Sequence, residues 1–218
     1  SFSSGSFEDL MKRLSFEQAV ICDGIVRLID YFTVGDNLFI VREQIRGYSL
    51  DYYLMNQGGK FTEKDSVSIT ITLLRIMKQL YSQGCSFSLG NIGLKNIVKT
   101  DTEMLKLTEL EIESAVGQKN LPMGNSVKYC PPEVYLGHSD IRSAVFVLGM
   151  ILFHLLTGID PGVEPYLSPG VVSYSSNRRL DKIIKKCTKD MHLPPDLIYP
   201  FIKLGAKIFG HFNLEEYS

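Results

Sequence analysis

The amino-acid sequence predicts an α+β fold, in which a small β-containing part precedes a larger and mostly helical part. Two runs rich in β-branched and aromatic residues, 25–32 and 37–43, flank Gly35-Asp36 and predict a β-hairpin. Apolar residues recur at helical spacing over 67–80, which predicts a long amphipathic helix. Residues 144–153 are apolar on every side, so we expect their helix in the middle of the fold.

The composition narrows the class of protein. The 218 residues include 23 Lys and Arg against 24 Asp and Glu, and 44% of the chain is hydrophobic. This balance fits a globular domain, in one piece or in two lobes, and excludes a disordered chain, a collagen-like repeat and a coiled coil. The basic footprint of a nucleic-acid-binding protein is absent, and no apolar run reaches the roughly 18 residues of a membrane span. We therefore expect neither a nucleic-acid partner nor a transmembrane segment.

Local signals place the first elements. Apolar residues at three- and four-residue spacing between Phe7 and Leu14 predict a short amphipathic helix before the hairpin. After the hairpin, Ser49 is expected to cap a short helix over 50–55, which Gly58-Gly59 would end.

The long helix has signals at both ends. Thr62 followed by Asp65 resembles a capping box, although the box prefers Glu or Gln at the second position, and Gly84 suits the place just after the last turn. Residues 92–98 and 104–110 then predict two short strands.

The second half of the chain alternates between loops and helices. Residues 112–131 have no sustained periodicity and are predicted to form a loop. Gly158 is expected to end the apolar helix, and two further helices are predicted over 180–187 and 196–209.

Five runs of residues, in this order along the chain, resemble motifs of the protein kinase domain. They are a strand and hinge over 39–50, a catalytic loop over 89–98, the strand and Asp-Phe-Gly position over 105–111, Pro131-Pro132-Glu133 in place of Ala-Pro-Glu, and the central helix 144–158, which ends in Leu-Leu-Thr-Gly. The resemblance covers roughly residues 7–210. It implies a protein-kinase-like fold with a reduced N-lobe over 1–46, a hinge at about 43–46 and a mostly helical C-lobe over 47–218.

The same resemblance implies that the catalytic positions are altered. Leu89-Gly90-Asn91 occupy the His-Arg-Asp position, and an Asn side chain cannot accept a proton as a carboxylate does. Gly93 stands at the position of the loop lysine, and Glu109-Leu110-Glu111 stand at Asp-Phe-Gly. Ala144 replaces an aspartate of the central helix that normally anchors the catalytic loop.

The region before the hinge shows neither a G-x-G-x-x-G run nor a lysine in a Val-Ala-Ile-Lys setting. Together with the altered motifs, this is similar to the With-No-Gly-loop kinases, relatives of the rhoptry kinases of apicomplexan parasites. The similarity extends to degenerate, cyst-wall-associated bradyzoite members of that group. It implies secretion into the parasitophorous vacuole or the cyst wall.

On these grounds we expect a catalytically inactive pseudokinase that acts as a scaffold for an unidentified protein partner, without a cofactor. Two alternatives stay open, a nucleotide-binding sensor without turnover and an atypical kinase that lacks the Gly-rich loop. They would use the hinge residues Glu43, Gln44 and Ile45 for the nucleotide, and Asn96 and Glu109 for a metal. Either metal candidate also fits a structural role, in a turn or in a pair with a lysine.

Other chemically capable groups fit structural roles. Cys22, Cys85, Cys130 and Cys187 lack paired spacing and are expected to be buried apolar fillers, with one disulfide left open. His154 is expected to be a core residue. The basic run 178–189 is expected to be a solvated helix face, and an acidic partner or a lipid headgroup is the alternative.

Overall fold

The computed structural model of the chain describes residues 4–56, 58–87, 92–108, 112–114, 129, 131, 141–161 and 177–188. In chain order its elements are α1 (Ser4–Ala19), β1 (Leu28–Val34), β2 (Asn37–Arg42), β3 (Gly47–Ser49), α2 (Leu50–Asn56), α3 (Glu63–Ser82), β4 (Cys85–Phe87), a 3₁₀ turn (Leu94–Asn96), β5 (Ile97–Thr100), β6 (Leu105–Leu107), β7 (Ile112–Ser114), α4 (Ile141–Thr157) and α5 (Arg178–Cys187). The mixture of helices and short strands agrees with the predicted α+β class.

The predicted hairpin is confirmed. β1 pairs antiparallel with β2, and the register brings Val34 opposite Asn37 across the turn. Gly35 adopts a φ of 58° there, a left-handed conformation that glycine enters without steric cost. The rings of Phe32 and Phe39, which face each other across the strands, stack with centroids 5.4 Å apart.

Two further small sheets lie next in the chain. β3, β5 and β6 form a three-stranded antiparallel sheet, and β4 pairs with β7. The loop prediction for 112–131 is therefore wrong at β7, because this strand is held by pairing with distant residues and needs no local alternation pattern. The strand prediction for 92–98 is wrong at its start, where the chain forms the 3₁₀ turn that precedes β5.

The predicted helix signals are confirmed where the structure describes them. Ser49 Oγ accepts a hydrogen bond from Tyr52 N–H at 3.2 Å at the start of α2. Thr62 Oγ1 accepts one from Asp65 N–H at 3.1 Å at the start of α3. Each bond satisfies one of the backbone N–H groups that a helix start leaves without a partner.

α4 lies in the centre of the core, as its apolar sequence predicts. It packs against α3 and α5, and the described core residues of all three helices form one continuous cluster. Gly149 permits the close approach of α5, since a Cβ atom there would lie 2.6 Å from the Cβ of Cys187. Gly158 ends α4 with a φ of 72°, and a Cβ atom there would lie 1.9 Å from the carbonyl oxygen of Gly59.

Among the described helices, none is at once long and apolar enough to cross a lipid bilayer. The predicted helix over 196–209 lies outside the described residues.

Candidate functional site

Residues 43–46 link β2 to β3 and form the segment that the sequence predicts as a hinge. Gln44 is exposed and Ile45 is half-buried, and neither makes a hydrogen bond to any residue that the structure describes. Within the described residues, their backbone N–H and C=O groups therefore have no hydrogen-bond partner. β3, which follows the hinge, pairs with β5, so the hinge leads directly to the strand that begins after Asn96.

The side chain of Glu43 ties the hinge to β6. Its Oε1 atom accepts hydrogen bonds from Lys106 Nζ and from Arg27 N–H, and Lys106 Nζ also donates to the carbonyl of Ile25 at 3.3 Å. Partial burial alone would raise the pKa of Glu43. The hydrogen bonds from Lys106 and Arg27 outweigh that effect, so the pKa lies below its ordinary value. The carboxylate of Glu43 thus stabilises the fold through these contacts.

A second ion pair ties the end of β2 to α1. Arg42 Nη1 bonds to Oε1 of Glu17, which is 5% exposed. A buried carboxylate of this kind needs a cationic or hydrogen-bonding partner. Sequence reasoning missed this pair, although an arginine at the end of an apolar strand was a signal that it has a specific partner.

Asn96 is 7% exposed and ends the 3₁₀ turn, where its N–H donates to the carbonyl of Gly93 at 2.9 Å. Its own carbonyl accepts two hydrogen bonds from Thr108, one from the N–H at 2.8 Å and one from Oγ1 at 3.2 Å. Thr108 directly precedes Glu109 in the sequence. The backbone of Asn96, one candidate metal ligand, is therefore hydrogen-bonded to the residue that precedes Glu109, the other candidate.

Tyr129 joins this region to the core. Its hydroxyl lies 2.7 Å from Nδ1 of His154 on α4, and a hydrogen bond from the backbone of Leu94 also reaches it. The two side chains are 1% and 3% exposed, and burial raises the pKa of the tyrosine. Leu94 begins the 3₁₀ turn that contains Asn96, so the turn is tied to the central helix even though Ala144 supplies no carboxylate. The prediction that His154 is a core residue is confirmed.

Several of the predicted positions lie outside the described residues. These are Leu89, Gly90, Asn91, Glu109, Leu110, Glu111, Pro132, Glu133, Cys130 and Lys189. Over the part of the chain that is described, no three His, Cys, Asp or Glu side chains are grouped as a metal site.

The remaining groups have the structural roles expected of them. Cys22, Cys85 and Cys187 are buried free thiols, and burial raises the pKa of Cys85 to about 11. α5 buries its apolar face and exposes its cationic side chains, which are Arg178, Arg179, Lys182, Lys185 and Lys186.

Comparison with known proteins identifies similar sequences. The family model described as the protein kinase domain matches residues 4–195. A probable serine/threonine-protein kinase of Clostridium perfringens is 23% identical over 163 residues, which cover 71% of this chain and 23% of that protein. The probable serine/threonine-protein kinase PknB of Lactococcus lactis is 28% identical over 142 residues, 63% of this chain and 22% of that protein.

A fungal relative gives a longer match. Serine/threonine-protein kinase ppk27 of Schizosaccharomyces pombe is 27% identical over 188 residues, 78% of this chain and 45% of that protein. The chain thus spans less than half the length of each of these three relatives.

These comparisons confirm the predicted protein-kinase-like α+β fold. They contradict the prediction of a catalytically inactive scaffold, because the similar proteins are named as serine/threonine kinases. The prediction of an inactive protein rests on the joint changes at residues 91, 93, 109 and 111, among which Asn91 replaces the general base. A general base contributes about 10²–10⁴-fold to a rate, whereas phosphoryl transfer depends mainly on positioning and on charge stabilisation. Nothing in the comparisons supports secretion or a vacuolar or cyst-wall location, which stay predictions.

Proposed function

Because the chain belongs to the protein kinase domain family, we propose that it is an atypical protein kinase. It transfers the terminal phosphoryl group of a nucleotide to a serine or threonine hydroxyl of a protein. The bond from phosphorus to the bridging oxygen of the nucleotide breaks, and a bond from phosphorus to the hydroxyl oxygen forms. The kinase names of its relatives support this proposal.

The pair of hydrogen bonds from Thr108 to Asn96 carries the proposal. Thr108 directly precedes Glu109 in the sequence, and Glu109 itself lies outside the described residues. An amide oxygen at 96 and a carboxylate at 109 are the hard oxygen ligands that Mg²⁺ prefers, with phosphate oxygens and water completing the shell. The ion would neutralise charge on the transferred phosphate.

The backbone N–H and C=O groups of Gln44 and Ile45, which bond to no described residue, suit the base of the nucleotide. A nucleotide base presents donors and acceptors on one edge, and backbone N–H and C=O groups complement such an edge without help from side chains. The side chain of Glu43 holds the hinge in place through Lys106.

The amide at Asn91 limits the rate of this kinase but does not abolish its chemistry. The hydroxyl proton passes to water or to a phosphate oxygen, because Asn91 cannot accept it. The expected rate is therefore about 10²–10⁴-fold below that of an enzyme with a carboxylate at this position.

We further propose that the chain is related to the With-No-Gly-loop kinases and has the vacuolar or cyst-wall location that this implies. The altered residues over 89–93 and 109–111 support the relationship. The test is to image the tagged protein in a parasite. A signal outside the vacuole and the cyst wall would contradict the proposed location.

Transfer of labelled phosphate from ATP tests the proposed activity. We would measure label on the chain itself, on casein and in released phosphate, with MgCl₂ and with EDTA. The wild-type chain should transfer label only with Mg²⁺, and Glu109→Ala should reduce transfer at least about 100-fold. Removal of a residue that merely hydrogen-bonds to a metal ligand already lowers metal affinity or activity about 10–100-fold. Asp36→Ala, an exposed carboxylate in the hairpin turn, should match wild type. Label no higher than in a protein-free control, or Mg²⁺-dependent binding of ATP without transfer, would contradict the proposal.

A further inference from the structure

Helix α5 has a buried apolar face and an exposed face of one charge. The apolar face is part of the core, where the helix packs against α4. The one carboxylate of the helix, that of Asp181, is 8% exposed. Every exposed residue of the helix is cationic, and these residues are Arg178, Arg179, Lys182, Lys185 and Lys186. We call these five residues the cationic face.

The charge of the cationic face is not neutralised within the described part of the chain. None of its five side chains forms an ion pair with a carboxylate of the residues that the structure describes. The chain as a whole has a formal net charge of −1, so without these five positive charges it would carry −6. The cationic face is thus a local excess of positive charge on an otherwise acidic chain.

The stability of α5 itself does not account for this arrangement. Lys182 lies four residues after Arg178 and four residues before Lys186, a spacing at which like charges destabilise a helix. Arg178 and Arg179 lie in the first turn, at the positive end of the helix dipole, where a cation is unfavourable. A bound anion would relieve both effects, so the charges favour an anionic partner.

The spacing of the cations fits an extended chain. At a rise of about 1.5 Å per residue, Arg178, Lys182 and Lys186 follow one another about 6 Å apart along the helix axis. Alternate residues of an extended chain point to one side and are about 6.6–6.8 Å apart. Carboxylates at every second position of an extended segment can therefore each meet a cation, and the guanidinium groups can bind them in a bidentate way.

We propose that the cationic face is a docking surface for a segment of another protein that carries Asp or Glu at alternate positions. The segment lies along α5 in an extended conformation, and its carboxylates pair with the exposed cations. A narrow segment meets only the cationic face. An anionic bilayer or a nucleic acid would extend beyond it to the rest of the chain, whose net charge is negative and repels such a surface. The binding does not depend on the proposed phosphoryl transfer.

Fluorescence anisotropy without nucleotide tests this proposal. The probe is a labelled peptide of sequence Glu-Ala-Glu-Ala-Glu-Ala-Glu, and its neutral control has Gln in place of each Glu. The acidic peptide should bind to the wild-type chain, and its affinity should fall as NaCl is added, because exposed charges are screened. The neutral control should not bind. A block peptide, Glu-Glu-Glu-Glu-Ala-Ala-Ala, should bind more weakly, because in an extended chain only half of its carboxylates point to one side.

Two variants change the cationic face, and one matched variant changes another helix. Lys182→Glu, at the residue that neighbours the other four cations, should weaken binding of the acidic peptide about tenfold. Arg179→Glu, in the first turn where Glu is favoured, should weaken it similarly. Lys64→Glu makes the same change of charge at an exposed residue of α3 and should bind as the wild-type chain does. Lys182→Glu should not lower Tm, because it replaces like-charge pairs by opposite-charge pairs.

Several results would overturn the proposal. They are no binding of the acidic peptide, equal binding of the neutral or the block peptide, unchanged affinity in both α5 variants, an equal loss of affinity in Lys64→Glu, and a lower Tm for Lys182→Glu. Tighter binding of phosphatidylserine vesicles or of single-stranded RNA than of the peptide, lost in Lys182→Glu, would overturn it in favour of those partners. Dimerisation of the wild-type chain that Lys182→Glu abolishes would assign the face to a second copy instead. None of these results bears on phosphate transfer, so the two proposals fail separately.

Discussion

Removal of the Tyr129 hydroxyl should destabilise the chain and loosen the turn that carries Asn96. Tyr129→Phe keeps the ring in a site where the side chain is 1% exposed, so the packing stays the same. The variant loses the 2.7 Å contact with His154 Nδ1 and the hydrogen bond from the backbone of Leu94. The effect therefore reports on these polar contacts alone.

The magnitude follows from burial. A buried polar group left without its partner costs about 1–3 kcal/mol, and water cannot replace the hydroxyl where His154 is only 3% exposed. We expect Tyr129→Phe to lower the free energy of unfolding by about 2 kcal/mol, which for a chain of this size is a fall in Tm of about 4–8 °C. His154→Leu should cost a similar amount. The double variant should cost at least about 1 kcal/mol less than the sum, since neither polar group is then left alone.

Urea unfolding followed by circular dichroism measures all four members of this cycle. Tyr52→Phe is the matched control, because Tyr52 is exposed and loss of its hydroxyl should change stability by less than about 0.5 kcal/mol. The reasoning would be refuted if Tyr129→Phe cost no more than Tyr52→Phe. Strict additivity of the Tyr129 and His154 variants would refute it as well.

Three further predictions test other parts of the chain. Glu43→Gln should destabilise by about 1 kcal/mol or less at pH 7. The folded-state pKa of Glu43 is depressed, so this stability is present above the ordinary pKa of 4.5 and is lost as pH falls through the folded value. Urea unfolding at a series of falling pH values measures it, and a difference that does not shrink as pH falls counts against the ion pair. Gly158→Ala should lower the free energy of unfolding by about 2–5 kcal/mol, because its φ is left-handed and a Cβ atom would clash with the carbonyl of Gly59. Gly84→Ala should lower it by only about 1–2 kcal/mol, because Gly84 has a similar φ of 71° but open space around it. Equal losses of stability in thermal melts of the two variants would show that the clash has no effect. Asn91→Asp should raise the rate of phosphate transfer at least about tenfold in the labelled-ATP assay, and an unchanged rate would show that proton acceptance does not limit it.

Sequence reasoning worked where the cause of the structure is local. The turn at Gly35-Asp36, the caps at Ser49 and Thr62 and the end of α4 at Gly158 each depend on residues within four positions of one another. The sequence also predicts a central position for α4, because no face of this helix suits water. The kinase-like motifs can also be recognised in order along the sequence, and the family comparison confirms the fold that they imply.

The prediction of an inactive protein is wrong because it compares residue types with the kinase motifs and does not weigh how much each changed residue contributes to the rate. The joint changes at residues 91, 93, 109 and 111 predict loss of catalysis only if each removes an essential contribution, whereas charge and positioning supply most of the rate of phosphoryl transfer. Ala144 supplies no carboxylate to anchor the catalytic loop. The structure ties the turn that contains Asn96 to α4 through Tyr129 and His154 instead, and these two residues lie 25 positions apart, so no local pattern predicts their contact.

The helices and the hairpin follow from the sequence alone, because propensity, capping and apolar spacing act over a few residues. The positions at which a kinase carries its chemistry follow from the resemblance of short motifs to that family. The contacts between distant side chains depend on how the whole chain packs. The Glu17–Arg42 and Glu43–Lys106 pairs and the pairing of β4 with β7 each join residues far apart in the chain. A periodic pattern shows which face of an element is buried. It does not show which residue of another element lies opposite, since that is fixed by packing of the whole core.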